Sequence, residues 1–489
     1  MKQSFNKTLA ACILTVTGSL LLALGAPLTP VNRFAVGIAQ ILCGIGLYFF
    51  AVYFVCDRNW MDIRAVFTGV WLCTIGLAAL RLTDYQEQWQ TKTWILVSVA
   101  YAAFQLGSSL GIHLGSRLYD FGARILRTVK IGSVKLKLNE NRLFWCCVIT
   151  TLIGLVCFLI NAAIKGYIPC FSNDTSAYVT FYTKFHVFAV ASTAAGGLCY
   201  YTLVTQKLPA IRKIILVLCM AYLVVLFPIL VLSRGTFVVA ALSLTIAIFY
   251  LHKRKLIVLT LCLASILGVY ILMSDMRGYS DKELDNFFEP SDIVIVAPPD
   301  TAPPDIETDD PVPPHDTGTN DSDSHPEEIV FSLHPKVAFV YTYLTVSHDN
   351  FNEAVQNATA FTHGTKQLTP FNVILRSDWI NAHNGSVPIY LVREHLNTTN
   401  LIGDFYYDFA GWGVGFCMIF WAMIFGVMQS FYTHGKGPFA LLTLGYAMTP
   451  VAYCFFSTWL STFSQWLFWG VTLLLAIAAC ITVSPTEKS

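Results

Sequence analysis

Apolar residues come in long uninterrupted blocks separated by short polar joints. The blocks lie near 8–25, 34–56, 65–82, 94–115, 143–163, 184–204, 214–232, 236–251, 256–274, 405–429, 438–456 and 464–482. Each is close to the roughly 17 to 25 residues that cross about 30 Å of hydrocarbon as a helix, which satisfies its own backbone groups in lipid. Barrel strands would show weaker, alternating segments of about ten residues. The pattern predicts an all-α polytopic membrane protein with about 12 transmembrane helices and one long extracytoplasmic loop between the ninth and tenth. It divides the chain into a membrane domain over 1–274, the loop over 275–404 and a second membrane segment over 405–489. The first block follows Lys2 and Lys7 as a signal peptide would, but no convincing small-residue cleavage pattern follows, so it is expected to be retained.

Composition agrees with the pattern. The chain is 55% hydrophobic and 12% charged, against about 25% charged in ordinary soluble domains, which excludes a multi-domain water-soluble enzyme. Lys and Arg accumulate in short cytoplasmic joints. With the N-terminus inside, the inner joints hold 19 of the 31 Lys and Arg, which predicts cytoplasmic termini. The basic stretch 117–142 either lies on an anionic inner leaflet or is an ordinary connection. Nearly all of the 14 cysteines fall within apolar blocks, Cys170 being the clearest on the outer side, and their spacing is not that of metal ligands or a disulfide framework.

The loop has two parts. Residues 281–328 hold 15 of the 30 acidic residues and a single cation, Lys282, with many prolines, the composition of a disordered, self-repelling tether. Its acidic residues lack calcium-loop spacing. The net charge of +1 thus conceals a cationic membrane body and an anionic insertion. Residues 331–404 are aromatic and polar together and read as ordered, with an amphipathic helix from about Val337 to Gln356. Tyr341, Tyr343, Phe351, Trp379, Tyr390, Tyr406 and Tyr407 offer flat faces of the type that stack on sugars or sit at headgroup level.

Charges at membrane depth are the candidate chemistry. Arg234 lies at the outer turn of a tight hairpin, FPILVLSRGTF, where its planar fork suits a phosphate or carboxylate or else snorkels to headgroups. Arg277 and Arg376 are further outer cations, and several facing one cavity would grip a diphosphate; Arg393 reads better as a partner of Glu394 or nearby carboxylates. Of His348, His363, His383 and His395, His348 is favoured as a base because Asp349 and Asn350 flank it. Asp404 and Asp408 are alternatives for the base or for sugar hydroxyls, weighed against helix capping. No zinc-helix spacing, P-loop, dinucleotide fingerprint or nucleophile elbow is present, so neither metal nor cofactor is expected.

These residues carry a resemblance. The KGYIPCF stretch at 165–171, the LSRG hairpin, MRGYS after the ninth block, YTYLTVSHDNFN and NTTNLIGDFYYDFAGWGVG resemble the bacterial oligosaccharide repeat-unit polymerases of O-antigen, capsule and exopolysaccharide synthesis. The acidic stretch 281–328 departs from the family pattern. The resemblance implies a multi-pass glycosyltransferase of the bacterial cytoplasmic membrane that joins undecaprenyl-diphosphate-linked oligosaccharides on the outer face. Membrane lipids, a flippase and a chain-length regulator would be its partners, and nucleic acid would not. It also implies roles: Arg234 helped by Arg277 and Arg376 at the diphosphate, His348 or Asp408 at the attacking hydroxyl, and Tyr341, Tyr343, Asn350, Asp404, Tyr406 and Tyr407 along the sugar path. A lipid-linked sugar ligase and a non-enzymatic exporter or flippase are the competing readings.

Overall fold

The computed structural model describes residues 2–83, 85–128, 134–136, 138–172, 177–252, 255–275, 294–296, 335–393, 396–457 and 459–483. The first helices are α1 (Lys2–Ala23), α2 (Gly25–Phe50), α3 (Ile63–Leu80), α4 (Thr91–Thr128) and α5 (Glu140–Lys165). Then come α6 (Ala177–Thr180), α7 (Lys184–Ser192), α8 (Gly196–Thr205), α9 (Ala210–Ala221), α10 (Phe227–Leu230), α11 (Arg234–Leu251) and α12 (Lys255–Asp275). Helices α13 (Pro335–Asn357), α14 (Thr365–Leu375) and α15 (Asp378–Gly385) lie between the apolar helices, and α16 (Gly403–Gly435), α17 (Pro438–Ala452) and α18 (Phe463–Cys480) complete the set.

The predicted class holds: the protein is an all-α polytopic membrane protein. Among the described residues ten segments are long and apolar enough to span a membrane, and two shorter apolar ones, Ala264–Met273 and Pro438–Ala452, fall on the ninth and eleventh blocks. Helices α7 and α8 form one such segment through a 3-10 turn, and α9 and α10 another through a π turn. The reversal between the first two blocks comes inside α2, at Asn32, which is non-helical (φ −155°) and whose Oδ1 accepts the Ala35 N–H as a fresh helix cap.

Two helices that are far apart in sequence form the centre of the bundle. Gly107, Gly111 and Gly115 of α4 line up at a four-residue spacing, and a Cβ at Gly111 would run into the Met423 carbonyl of α16. Small residues at this spacing let backbones approach closely where lipid offers no hydrophobic drive for association. Around this seam packs the largest core, with Phe67, Trp71, Phe104, Tyr406 and Phe425 among its fully buried members.

The two ends of the bundle are built differently. At one end Asp62 caps α3 and accepts both Arg64 Nε and Nη2 at 2.9 Å, while Gln429 of α16 donates to it at 2.6 Å. Tyr250 of α11 bonds Asn59 there. Strand β1 (Val134–Leu136) pairs antiparallel with β4 (Ile481–Val483), the final described residues of the chain. The opposite end carries α13, α14 and α15. There β2 (Val294–Val296) pairs antiparallel with β3 (Ile389–Leu391). These three residues of β2 are the described part of the acidic stretch 281–328; the rest of it lies outside the described residues.

Candidate functional site

The hairpin at Arg234 lies half-buried at the α13 end. Leu232 takes a left-handed conformation (φ 51°) to end the preceding helix, and the Ser233 hydroxyl caps α11 by accepting the Thr236 N–H. Arg234 is therefore the first residue of α11, at the positive end of the helix dipole, which reinforces its attraction for anions. Its Nη2 donates to the Tyr343 hydroxyl at 3.2 Å, and the guanidinium carbon is 5.4 Å from that ring's centroid.

A cluster of aromatic rings adjoins the cation. Tyr343 stacks on Phe456 with centroids 5.5 Å apart and tilts against Phe339 at 4.6 Å. Phe456 meets Tyr453 edge-on at 6.1 Å, and Tyr453 meets Trp459 in the same way at 6.2 Å. The Ser347 hydroxyl of α13 donates to the Phe456 carbonyl at 3.1 Å, so this wall is tied to the helix that carries Tyr343. Tyr453, Phe456 and Trp459 were missed in the sequence. The available signal was the aromatic run YCFFSTWLSTF at 453–463, on the same side as Arg234 in the predicted topology.

Most of the other predicted residues are held in supporting positions. His348 is fully buried between Trp71 and Trp89, with ring centroids at 5.3 and 6.1 Å. The Asn400 amide reaches its Nδ1 at 3.0 Å and its Nε2 faces the Thr74 hydroxyl at 3.1 Å. Burial pushes the imidazole down to about 3, so it is neutral at physiological pH and both nitrogens are already occupied. The expectation of a base that meets the substrate therefore conflicts with its surroundings. Asn350 is equally enclosed: its amide donates to the Leu396 and Thr398 carbonyls and its Oδ1 accepts the Val392 N–H. Tyr341 spans α13 and the 81–90 loop, donating to Gln86 Oε1 at 2.7 Å and accepting the Leu82 N–H.

Asp408 also departs from expectation, because it caps a helix other than its own. Thr362 Oγ1 and the Gly364, Lys366 and Gln367 N–H groups all donate to its buried carboxylate, which fixes the start of α14. Immediately after it the chain kinks at Phe409 and Ala410 (φ 55°). The Tyr406 hydroxyl accepts Lys92 Nζ at 2.9 Å and Tyr407 accepts the Tyr390 N–H at 2.9 Å; both rings are buried and lie away from any open sugar path. Asp404 is half-buried in the first turn of α16, the capping position weighed earlier. Arg376 is exposed at the end of α14, and Arg393 is buried against the Tyr85 ring at 5.3 Å. His363 is exposed, His383 is half-buried against Trp379, and Arg277, Glu394 and His395 lie outside the described residues. Among the described residues of the predicted set, Arg234 and Tyr343 are thus brought together.

Two carboxyls on α13 were not singled out in the sequence. Asp349 accepts Gln86 Nε2 and Trp89 Nε1, and burial pushes it up to about 7, with Glu353 adding repulsion and Arg81 opposing it. Glu353 is 1% exposed, accepts Asn357 through Oε2, and is pushed up to about 7 by burial and by nearby Glu87. A carboxyl held above its unfolded value stabilises the fold fully at low pH, and that contribution is lost as pH rises through about 7. Wild-type thermal midpoints should therefore fall from pH 5 to pH 8 through these groups. Glu353→Gln should flatten the fall, gaining about 1–2 kcal/mol at pH 8, with the Asn357 hydrogen bond lost in part; equal slopes in differential scanning fluorimetry would remove Glu353 from this account.

Comparison with known proteins adds one match. Residues 63–295 fit the family model described as "Putative O-antigen polymerase". The matched stretch includes Arg234 and ends before α13, so it covers one side of the site. No curated protein and no solved structure gives a significant match.

Proposed function

We propose, from the match of residues 63–295 to the O-antigen polymerase family model, that the chain is such a polymerase and joins undecaprenyl-diphosphate-linked oligosaccharide repeats into a surface polysaccharide. The reaction takes place on the extracytoplasmic face of the cytoplasmic membrane, with the α13 end outermost and both termini inside. A hydroxyl oxygen of the incoming repeat attacks the anomeric carbon of the growing chain. The carbon–oxygen bond to the lipid diphosphate breaks, its electrons leave with the diphosphate, and the proton lost by the hydroxyl passes to that departing diphosphate.

The observation that carries this reading is Arg234, half-buried at the start of α11 and bonded to Tyr343. A fixed guanidinium beside helix N–H groups stabilises the charge that builds on the departing diphosphate, and it needs no reorganisation to do so. An already activated leaving group accounts for a chain without a nucleotide motif. His348 and Asp408 support this centre from behind, by positioning α13 and α14. A flippase supplies the repeats and a chain-length regulator acts on the product.

Purified protein supplied with lipid-linked repeat units should produce a ladder of polymers. Arg234→Lys keeps the charge but loses the fork, and Arg234→Gln loses both. Turnover should fall about 10²-fold or more in the Gln variant with the thermal midpoint unchanged. A normal ladder from either variant would take the diphosphate role away from Arg234, and single additions by the wild type would identify a ligase.

A further inference from the structure

Beyond the diphosphate grip, the site has a second wall whose position is set by a glycine. Gly235 follows Arg234 directly, and a Cβ there would lie 3.2 Å from the far edge of the Trp459 ring. The missing side chain lets the indole lie against the start of α11, next to the cation. Trp459 opens a short 3-10 turn over Trp459–Ser461, which is pinned where Thr462 Oγ1 and the Thr462 N–H donate to the Trp459 carbonyl and Trp466 Nε1 donates to the Leu460 carbonyl. The turn is therefore rigid although it carries half-buried rings.

The indole nitrogens nearby are of two kinds. Trp89 donates to Asp349 and Trp466 to a backbone carbonyl, whereas Trp459 Nε1, like that of Trp469, is buried without an acceptor among the described residues, and of these two it is Trp459 that lies beside Arg234. A buried donor left unbonded carries a desolvation cost. That cost is relieved when a ligand turns the ring so that its N–H meets an oxygen, while the ring face meets apolar C–H groups. Sugars offer both kinds of group on one ring.

Resting on the reading that Arg234 holds the lipid diphosphate, we infer that Trp459, with Phe456 and Tyr343, forms the wall that receives the sugar bonded directly to that diphosphate. The rings surround the cation on two sides: Tyr343, stacked on Phe456, meets the guanidinium, and Trp459, reached through Tyr453, lies against the neighbouring Gly235. Anionic diphosphate meets the cation, and the ring one bond further on meets aromatic faces, which attract C–H groups and exclude water. This wall makes the enzyme discriminate between a lipid diphosphate that carries a sugar and one that does not.

The test compares two probes on the full-length protein in detergent: undecaprenyl diphosphate, and the lipid-linked repeat unit extracted from cells that lack this protein. Wild type should bind the repeat unit about tenfold more tightly than the bare lipid diphosphate, the scale of one good aromatic contact. Trp459→Leu should abolish that ratio while its affinity for undecaprenyl diphosphate stays at the wild-type value. Trp459→Phe keeps the ring and loses the N–H, so it should retain about a third of the ratio. Should the Leu variant fold poorly, the Phe variant alone decides, since it removes one polar hydrogen from a site already packed with rings. A full ratio in either variant overturns the inference and leaves Arg234 untouched. Arg234→Gln should weaken both probes equally and keep the ratio; unchanged affinity for undecaprenyl diphosphate would instead overturn the diphosphate reading.

Discussion

Replacing Asp408 by Ala should deplete folded protein from the membrane rather than slow its chemistry. Four donors converge on that carboxylate, three of them backbone N–H groups at the start of α14. The side chain is fully buried, so water cannot take its place. Losing a helix cap costs about 1 kcal/mol, and each buried donor left unpaired adds about 1–3 kcal/mol, so with four donors a loss of about 5 kcal/mol or more is expected. Asp408→Asn keeps one acceptor oxygen and should lose about half as much. Fluorescence-detected size exclusion and thermal midpoints would separate this from catalysis. A fully folded, fully stable Asp408→Ala protein without activity would return Asp408 to the reacting atoms.

The second large effect is expected at the opposite end of the bundle. Asp62→Ala removes the partner of Arg64, which is bound bidentately, and frees the Gln429 amide on α16. An uncompensated buried charge typically costs about 3–5 kcal/mol. Converting Arg64 to Met in the same chain should restore most of that loss, because the unpaired charge goes with it, and a double-mutant cycle measures the coupling. Burial alone would raise the Asp62 carboxyl, but the Arg64 pair and its hydrogen bonds outweigh burial and lower it. Its contribution is therefore present above the ordinary carboxyl range and lost as pH falls below it, opposite in sign to Asp349 and Glu353. Additive effects of Asp62→Ala and Arg64→Met would show that the pair is not a unit.

The membrane class was legible because hydrocarbon imposes one requirement on every spanning segment, and each apolar block carries it locally. Arg234 was legible for the same reason: a cation at a tight apolar hairpin stands out without any knowledge of its neighbours. His348, Asp408, Tyr406 and Tyr407 misled because residue type shows only what a side chain can do. Whether a histidine meets substrate or Asn400 depends on a contact across 52 residues, and the Asp408 cap reaches back 44 residues to Gly364. The glycines of α4 could have been read as a close-packing face from their spacing, though not their partner on α16. Trp459 could not be joined to Arg234 from sequence, since only the packing of α11 against the end of α17 brings them together.

The short strand pair between β1 and β4 has a bearing on topology as well as on packing. Hydrogen-bonded strands must lie on the same side of a membrane, so the chain crosses it an even number of times between Leu136 and Ile481. Six of the long apolar segments fall in that interval, and the two short ones, Ala264–Met273 and Pro438–Ala452, also fall there. If the six all cross, parity permits the short pair to cross together or to stay out together, and it forbids one without the other. A reporter placed in the 275–334 segment and another at the 436–437 joint would thus give coupled answers, whereas 453–462, one crossing from β4, stays on the face opposite that strand in either case.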